Sequence, residues 1–178
     1  MRSNECRHWL LTWTTYGSWM PGDERGSTSV THSIEGAREF HNRVGTFPAA
    51  PNDAIQHYAD SVRKHPVVIL DRTMARLIDE LFRETAAFRG WNIRILAIMA
   101  THIHVVVQVN GDPRPAQLLK DLKSYASRRL NRHFPDRIGR WWTDSGSARF
   151  LHEEANILRA IAYVRDQPNA LIVREQVN

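Results

Sequence analysis

Residues 91–109 read WNIRILAIMATHIHVVVQV, and this stretch constrains the fold more than any other part of the chain. Two runs rich in branched apolar residues, 91–100 and 102–109, are separated by almost nothing, and Gly111-Asp112-Pro113 ends the second. Such runs bounded by turn residues predict two strands paired as a hairpin. Alternate side chains of a strand point to opposite faces. Ile103, Val105, Val107 and Val109 therefore form a core face, and His102, His104, Val106 and Gln108 share the other.

The flanking sequence supplies the layers. Arg7–Thr15 predicts a first strand, with Trp9, Leu11 and Trp13 alternating against His8, Leu10 and Thr12. From residue 16 to 66 the chain is broken by Gly17, Pro21-Gly22, Gly26-Ser27 and Pro48–Pro51, with short helices predicted at Glu35–Val44 and Asp53–Lys64. This stretch is an elaborating insertion on a single domain that spans residues 1–178. Asp71 predicts the cap of a helix carrying Met74, Leu77, Ile78, Leu81 and Phe82 on one face, stopped at Gly90. A second helix runs from about Pro115 to His133 with Leu119, Leu122, Ala126 and Leu130 on its stripe. A possible strand and a last helix over Glu153–Arg165 follow. Strand, helix, hairpin, helix, strand, helix is the order of an α+β sandwich with a mainly antiparallel sheet covered by helices.

Composition narrows the class. An apolar fraction of 42% and a charged fraction of 24% belong to a globular chain. Cys6 is the single cysteine, so one chain can build neither a disulfide framework nor a thiolate zinc site. No apolar run is long enough for a signal peptide or a membrane span, and a cytoplasmic protein is expected. The net charge is +5, and its excess is local: nine Arg or Lys lie between Arg114 and Arg149 against three Asp. A basic segment of this kind favours an anionic partner. Acyl-transfer, phosphate-loop and dinucleotide signatures are absent from the sequence.

Two constellations carry chemistry. His102 and His104, neighbours on one strand face, can converge on a divalent ion held by a rigid sheet; the plainer alternative is a pair of hydrogen-bonded surface histidines. About twenty residues on, Tyr125 lies at the edge of the apolar stripe of the basic helix, among Asp121, Arg129 and Arg132. A phenol titrates at about pH 10, so attack on phosphorus requires neighbouring positive charge or a metal.

These pieces together resemble the HUH single-tyrosine transposases of the insertion-sequence and REP-associated types. The resemblance is carried by WLLTWTTYGSWMPGDERG, ILAIMATHIHVVVQV, LKDLKSYASRRLNR and ILRAIAYVRDQPNA, and it spans most of the chain. It implies a ferredoxin-like HUH endonuclease core, with Mg²⁺ or Mn²⁺ on His102 and His104. It also implies Tyr125 as the nucleophile, forming a 5′-phosphotyrosine, and a homodimer acting on single-stranded DNA with hairpins. Members usually carry a Gln, Asn or His one helical turn after the tyrosine as a third ligand. Here that position is Arg129, which cannot ligate a cation; Asp121, Asn131 or water are the substitutes. Arg129 leaves nicking activity open and makes a non-catalytic hairpin-binding derivative the alternative. DNA contacts are expected from Lys120, Lys123, Arg128, Arg129, Arg132 and Arg140, with Trp141 or Trp142 stacking on an unpaired base.

Overall fold

The computed structural model describes residues 6–20, 23, 30–32, 38–40, 50–144 and 146–176. Its main sheet has five strands: β1 (Cys6–Thr14), β4 (Asn92–Ile98), β5 (His102–Asn110), β6 (Ser147–Leu151) and β7 (Ile172–Glu175), in the order β6-β1-β5-β4-β7. All four pairings are antiparallel. The helices are α1 (Asp53–Ser61), α2 (Arg72–Arg89), α3 (Pro115–His133) and α4 (Glu154–Arg165). A separate ribbon pairs β2 (Val30–His32) with β3 (Arg38–Phe40). Arg38–Phe40 falls inside the helix expected over Glu35–Val44, so that expectation fails where the structure describes the chain; 33–37 and 41–44 lie outside the described residues.

The hairpin places β5 at the centre of the sheet, and the alternation of its side chains divides the molecule. Ile103, Val105, Val107 and Val109 are at most 1% exposed and pack with Leu11, Trp13, Ile78 and Phe82. Leu118, Leu122, Ala126 and Leu130 of α3 close the same core. Across the sheet, Val106, Ile95, Ala97 and Met99 pack under Ile157, Ala160, Ile161 and Val164 of α4. Each fully buried aliphatic side chain in these layers contributes about 1.5–3 kcal/mol. The core is therefore two-sided, with α2 and α3 on one face and α4 on the other.

Local signals fix the ends of α2. The Asp71 carboxylate accepts from the Met74 amide at 2.8 Å, and Gly90 closes the helix at φ 67°. Such an N-cap contributes about 1 kcal/mol, and the left-handed C-cap favours glycine. The edge strand β7, which no sequence pattern announced, ties the two layers together. Successive residues face opposite sides, so Arg174 holds the Asp79 carboxylate of α2 with Nε at 2.8 Å from Oδ1 and Nη2 at 2.6 Å from Oδ2, while Glu175 pairs with Arg165 of α4 at 2.6 Å.

Candidate metal and nucleophile site

His102 and His104 sit on the α4 face, because the register that buries Ile103 and Val105 turns them the other way. Their cross-strand partners on β1 are Thr14 and Thr12. The imidazole centroids are 5.1 Å apart and the rings meet edge to face. His104 is 4% exposed, and its Nδ1 lies 2.7 Å from the Thr12 hydroxyl. The Nδ1 of His102 lies 3.1 Å from the Thr101 hydroxyl. Burial, reinforced by the charge of His102, holds the His104 pKa down to about 4. His104 is thus a neutral imidazole at neutral pH, which is the form that binds metal.

The tyrosine brought to this pair is Tyr163, on α4. Its hydroxyl is 3.5 Å from His104 Nε2, and its ring stands edge-on to the imidazole at 5.2 Å between centroids. Tyr163 reaches it from beside the buried stripe of Ile157, Ala160, Ile161 and Val164, and it remains 51% exposed, open to a large substrate. Gln167 follows one turn later, just past the end of α4, and its amide nitrogen donates to the Tyr163 carbonyl at 3.0 Å. That bond leaves the amide oxygen as an acceptor or ligand.

Tyr125 is not brought to the histidines. It packs at the margin of the α2–α3 core, on the far side of the sheet, under the Arg128 guanidinium at 4.5 Å and with Arg89 at 3.5 Å from its hydroxyl. Arg129 is paired with Glu84 of α2 at 2.5 Å, and Asp121 with Arg89 at 2.8 Å. Asn131 accepts from the Trp141 indole at 2.6 Å. The substitutes suggested for a third ligand, Asp121 and Asn131, thus belong to α3 and its contacts and not to the histidine face. Among the described residues no group of three His, Cys, Asp or Glu is arranged to hold an ion.

Of the expected DNA contacts, Lys120, Lys123, Arg140, Trp141 and Trp142 come together. They line a groove of about 580 Å³ between the outer stripe of α3 and the loop 139–146, with Ser124, Ser127 and Asn131 along its side. Trp141 and Trp142 are 2% and 5% exposed, and their indole nitrogens donate to Asn131 and to the Lys123 carbonyl. At that burial the two rings form the wall of the groove. Lys123 donates to the carbonyls of Thr143 and Asp144, and Arg140 pairs with Asp144 at 2.5 Å. Arg128 and Arg129 point instead toward Tyr125 and α2, and Arg132 is exposed on α3 outside the groove. The loop is close to the histidine end of the sheet, since Thr143 and Thr14 exchange a hydroxyl hydrogen bond at 3.0 Å.

In the sequence, the basic character of α3 points to Tyr125 and nothing in the charge pattern points to Tyr163. The signal was present in AYVRDQPNA, where a glutamine follows a tyrosine by four residues.

A five-stranded antiparallel sheet with two helices between its strands on one face and a further helix on the other defines an α+β protein of the ferredoxin-like kind. The chain belongs to the IS200-like transposases: the family model, Transposase IS200 like, matches residues 61–167. That span runs from the end of α1 through His102, His104 and Tyr163 to Gln167. Among solved structures, the REP-associated tyrosine transposase bound to a REP hairpin is similar at a TM-score of 0.51 and 9% identity, over 96% of this chain and 79% of that one. A protein of Deinococcus radiodurans R1 assigned as a transposase is similar at a TM-score of 0.45 and 15% identity, over 93% of each chain. No curated protein matches the chain in sequence. No helix among the described residues is long and apolar enough to cross a membrane.

Proposed function

We propose that this transposase nicks and rejoins single-stranded DNA with Tyr163 as the nucleophile and His102, His104 and Gln167 as the ligands of a divalent ion, Mg²⁺ or Mn²⁺. The observation that carries the reading is the approach of the Tyr163 hydroxyl to His104 Nε2 at 3.5 Å. The meeting of a tyrosine hydroxyl and a neutral imidazole of the same chain at one point supports reading them as nucleophile and ligand. The donor set suits the ion: two imidazoles, one held neutral by burial, and an amide oxygen, with water completing the shell. Gln167 occupies the place one helical turn after the nucleophile where the resemblance implies a ligand. The Arg129 difficulty, which arises only if Tyr125 is the nucleophile, disappears.

When bound, the ion would polarise the scissile phosphate and offset its developing negative charge. The protein's own groups do the rest. Tyr163, half-exposed at the end of α4, gives up its phenolic proton to solvent and forms a P–O bond. The bond from phosphorus to the 3′-oxygen breaks, and that oxygen takes up a proton as a 3′-hydroxyl. A 5′-phosphotyrosine remains, and attack by a 3′-hydroxyl reverses the exchange without consuming water. The fixed strand that carries both histidines supplies the positioning, which accounts for much of the rate in phosphoryl transfer.

The DNA is read as lying across the groove beside α3, with Lys120, Lys123 and Arg140 near its phosphates. Support comes from the cluster of these residues and from the Thr14–Thr143 contact that links the groove to the strand beside His102. The hairpin bound by the similar REP-associated protein supports a hairpin-bearing substrate. A homodimer rests on the resemblance alone; Tyr163 and His104 of one chain are already within reach of each other.

The test is a denaturing gel of the protein with labelled single-stranded hairpin DNA and Mn²⁺. A covalent protein–DNA band is expected from wild type and Tyr125→Phe, and none from Tyr163→Phe or His104→Ala. A band that survives Tyr163→Phe and is lost in Tyr125→Phe would overturn the assignment of the nucleophile. Retarded DNA on a native gel with no covalent band under either ion would favour a binding protein without the chemistry.

A further inference from the structure

The segment LTWTTYGS at the end of β1 and just beyond it supplies neither a ligand nor a nucleophile, yet most of its polar side chains bond toward the histidine strand. Thr12 reaches His104 directly, hydroxyl to Nδ1 at 2.7 Å, across the strand pair. Thr101, in the two-residue turn before β5, reaches His102 at Nδ1 with its hydroxyl at 3.1 Å. Thr101 is itself held by the same segment. Its carbonyl accepts from the Thr15 amide at 2.8 Å, the Thr15 hydroxyl at 3.1 Å and the Ser18 hydroxyl at 3.0 Å. Thr15 is fully buried, and its hydroxyl also donates to the Val68 carbonyl at 2.6 Å. Gly17, at φ 73°, makes the turn that returns Ser18 to Thr101, in a region of backbone space that disfavours other residues.

We propose that Thr12–Ser18 is a positioning shell for the histidine pair. Thr12 and Thr101 accept the Nδ1–H of His104 and His102, while Thr15 and Ser18 hold Thr101 in place, so that both rings present Nε2 to the ion. The inference rests on the metal reading proposed above. Its physical basis is general: a ring nitrogen can ligate only when unprotonated, and the hydrogen bond at the other nitrogen decides which one that is and how the ring is turned. Carbonyls or carboxylates commonly take this part; here two threonine hydroxyls occupy it. The approach of Tyr163 to His104 at Nε2, and not at Nδ1, follows from the same arrangement.

Isothermal titration of the metal-free protein with Mn²⁺, without DNA, reads the shell independently of activity. Thr12→Val is expected to weaken Mn²⁺ binding about 10- to 100-fold, with Thr12→Ser restoring it to within a few-fold and Thr101→Val also weakening it. Unchanged affinity in a folded Thr12→Val protein overturns the inference while leaving the metal site intact. Wild type and His104→Ala binding Mn²⁺ equally would overturn the metal reading and the inference with it. If Thr12→Val does not fold, ¹⁵N spectra of the wild-type histidine side chains decide. Protonation at Nδ1 of His104 in the neutral form supports the shell, and protonation at Nε2 overturns it.

Discussion

Two tyrosines, on two helices, lie on opposite sides of the same sheet, and their surroundings differ in kind. Tyr125 is surrounded by charge: Arg128 stacks over its ring and Arg89 lies near its hydroxyl, between helices laced by Arg129–Glu84 and Arg89–Asp121. Tyr163 touches a neutral histidine and is otherwise open. Judged by local charge alone, Tyr125 is the better nucleophile. Judged by what a phosphate in contact with the histidines would meet, it is Tyr163. Reactivity requires that the scissile atom arrive at the same place as the attacking oxygen. Arg129 and Arg89 already have carboxylate partners there and are accounted for as helix–helix contacts.

The largest effect expected from breaking this comparison is on the covalent adduct, which Tyr163→Phe abolishes and Tyr125→Phe leaves at its wild-type level on a denaturing gel. Next is Gln167→Ala, expected to lower Mn²⁺ affinity about 10-fold or more by calorimetry; Arg129→Gln, which would create a ligand beside Tyr125, is expected to leave it unchanged. Stability separates the two faces as well. Arg174→Ala leaves the buried Asp79 carboxylate of α2 with its longer pair to Arg83 at 3.8 Å and should cost about 2 kcal/mol in urea unfolding, less than a fully buried pair because Arg174 is half-exposed and Arg83 remains. Glu175→Ala, on the α4 face, breaks a pair that water already screens and should barely move the midpoint. The smallest effect is on DNA binding. Lys120→Glu with Arg140→Glu should weaken hairpin affinity about 10-fold at low salt and flatten its salt dependence, whereas Arg128→Ala, on the Tyr125 side, should do neither.

Much of the architecture is legible because it depends on short-range pattern. The alternation in 102–109 sets which residues are core and which are histidine face, and Asp71, Gly90 and Pro115 mark helix ends where the structure has them. The strand β7 is not legible, since four residues with one half-buried side chain leave almost no periodic trace. The helix expected over 35–44 fails at 38–40, the part described, because a short polar run cannot distinguish a helix from the ribbon strand Arg38–Phe40.

The amino-acid sequence by itself determined the hairpin, the histidine pair and its face, and the segments that resemble the tyrosine transposases, because each is written in neighbouring residues. Only the tertiary structure decided which tyrosine meets the pair. His104 and Tyr163 are 59 residues apart in sequence, and they meet because α4 crosses back over the face that α2 and α3 leave open. The sheet is an apolar wall about one residue thick, so the side on which a helix packs outweighs how close it lies in sequence or how basic it is.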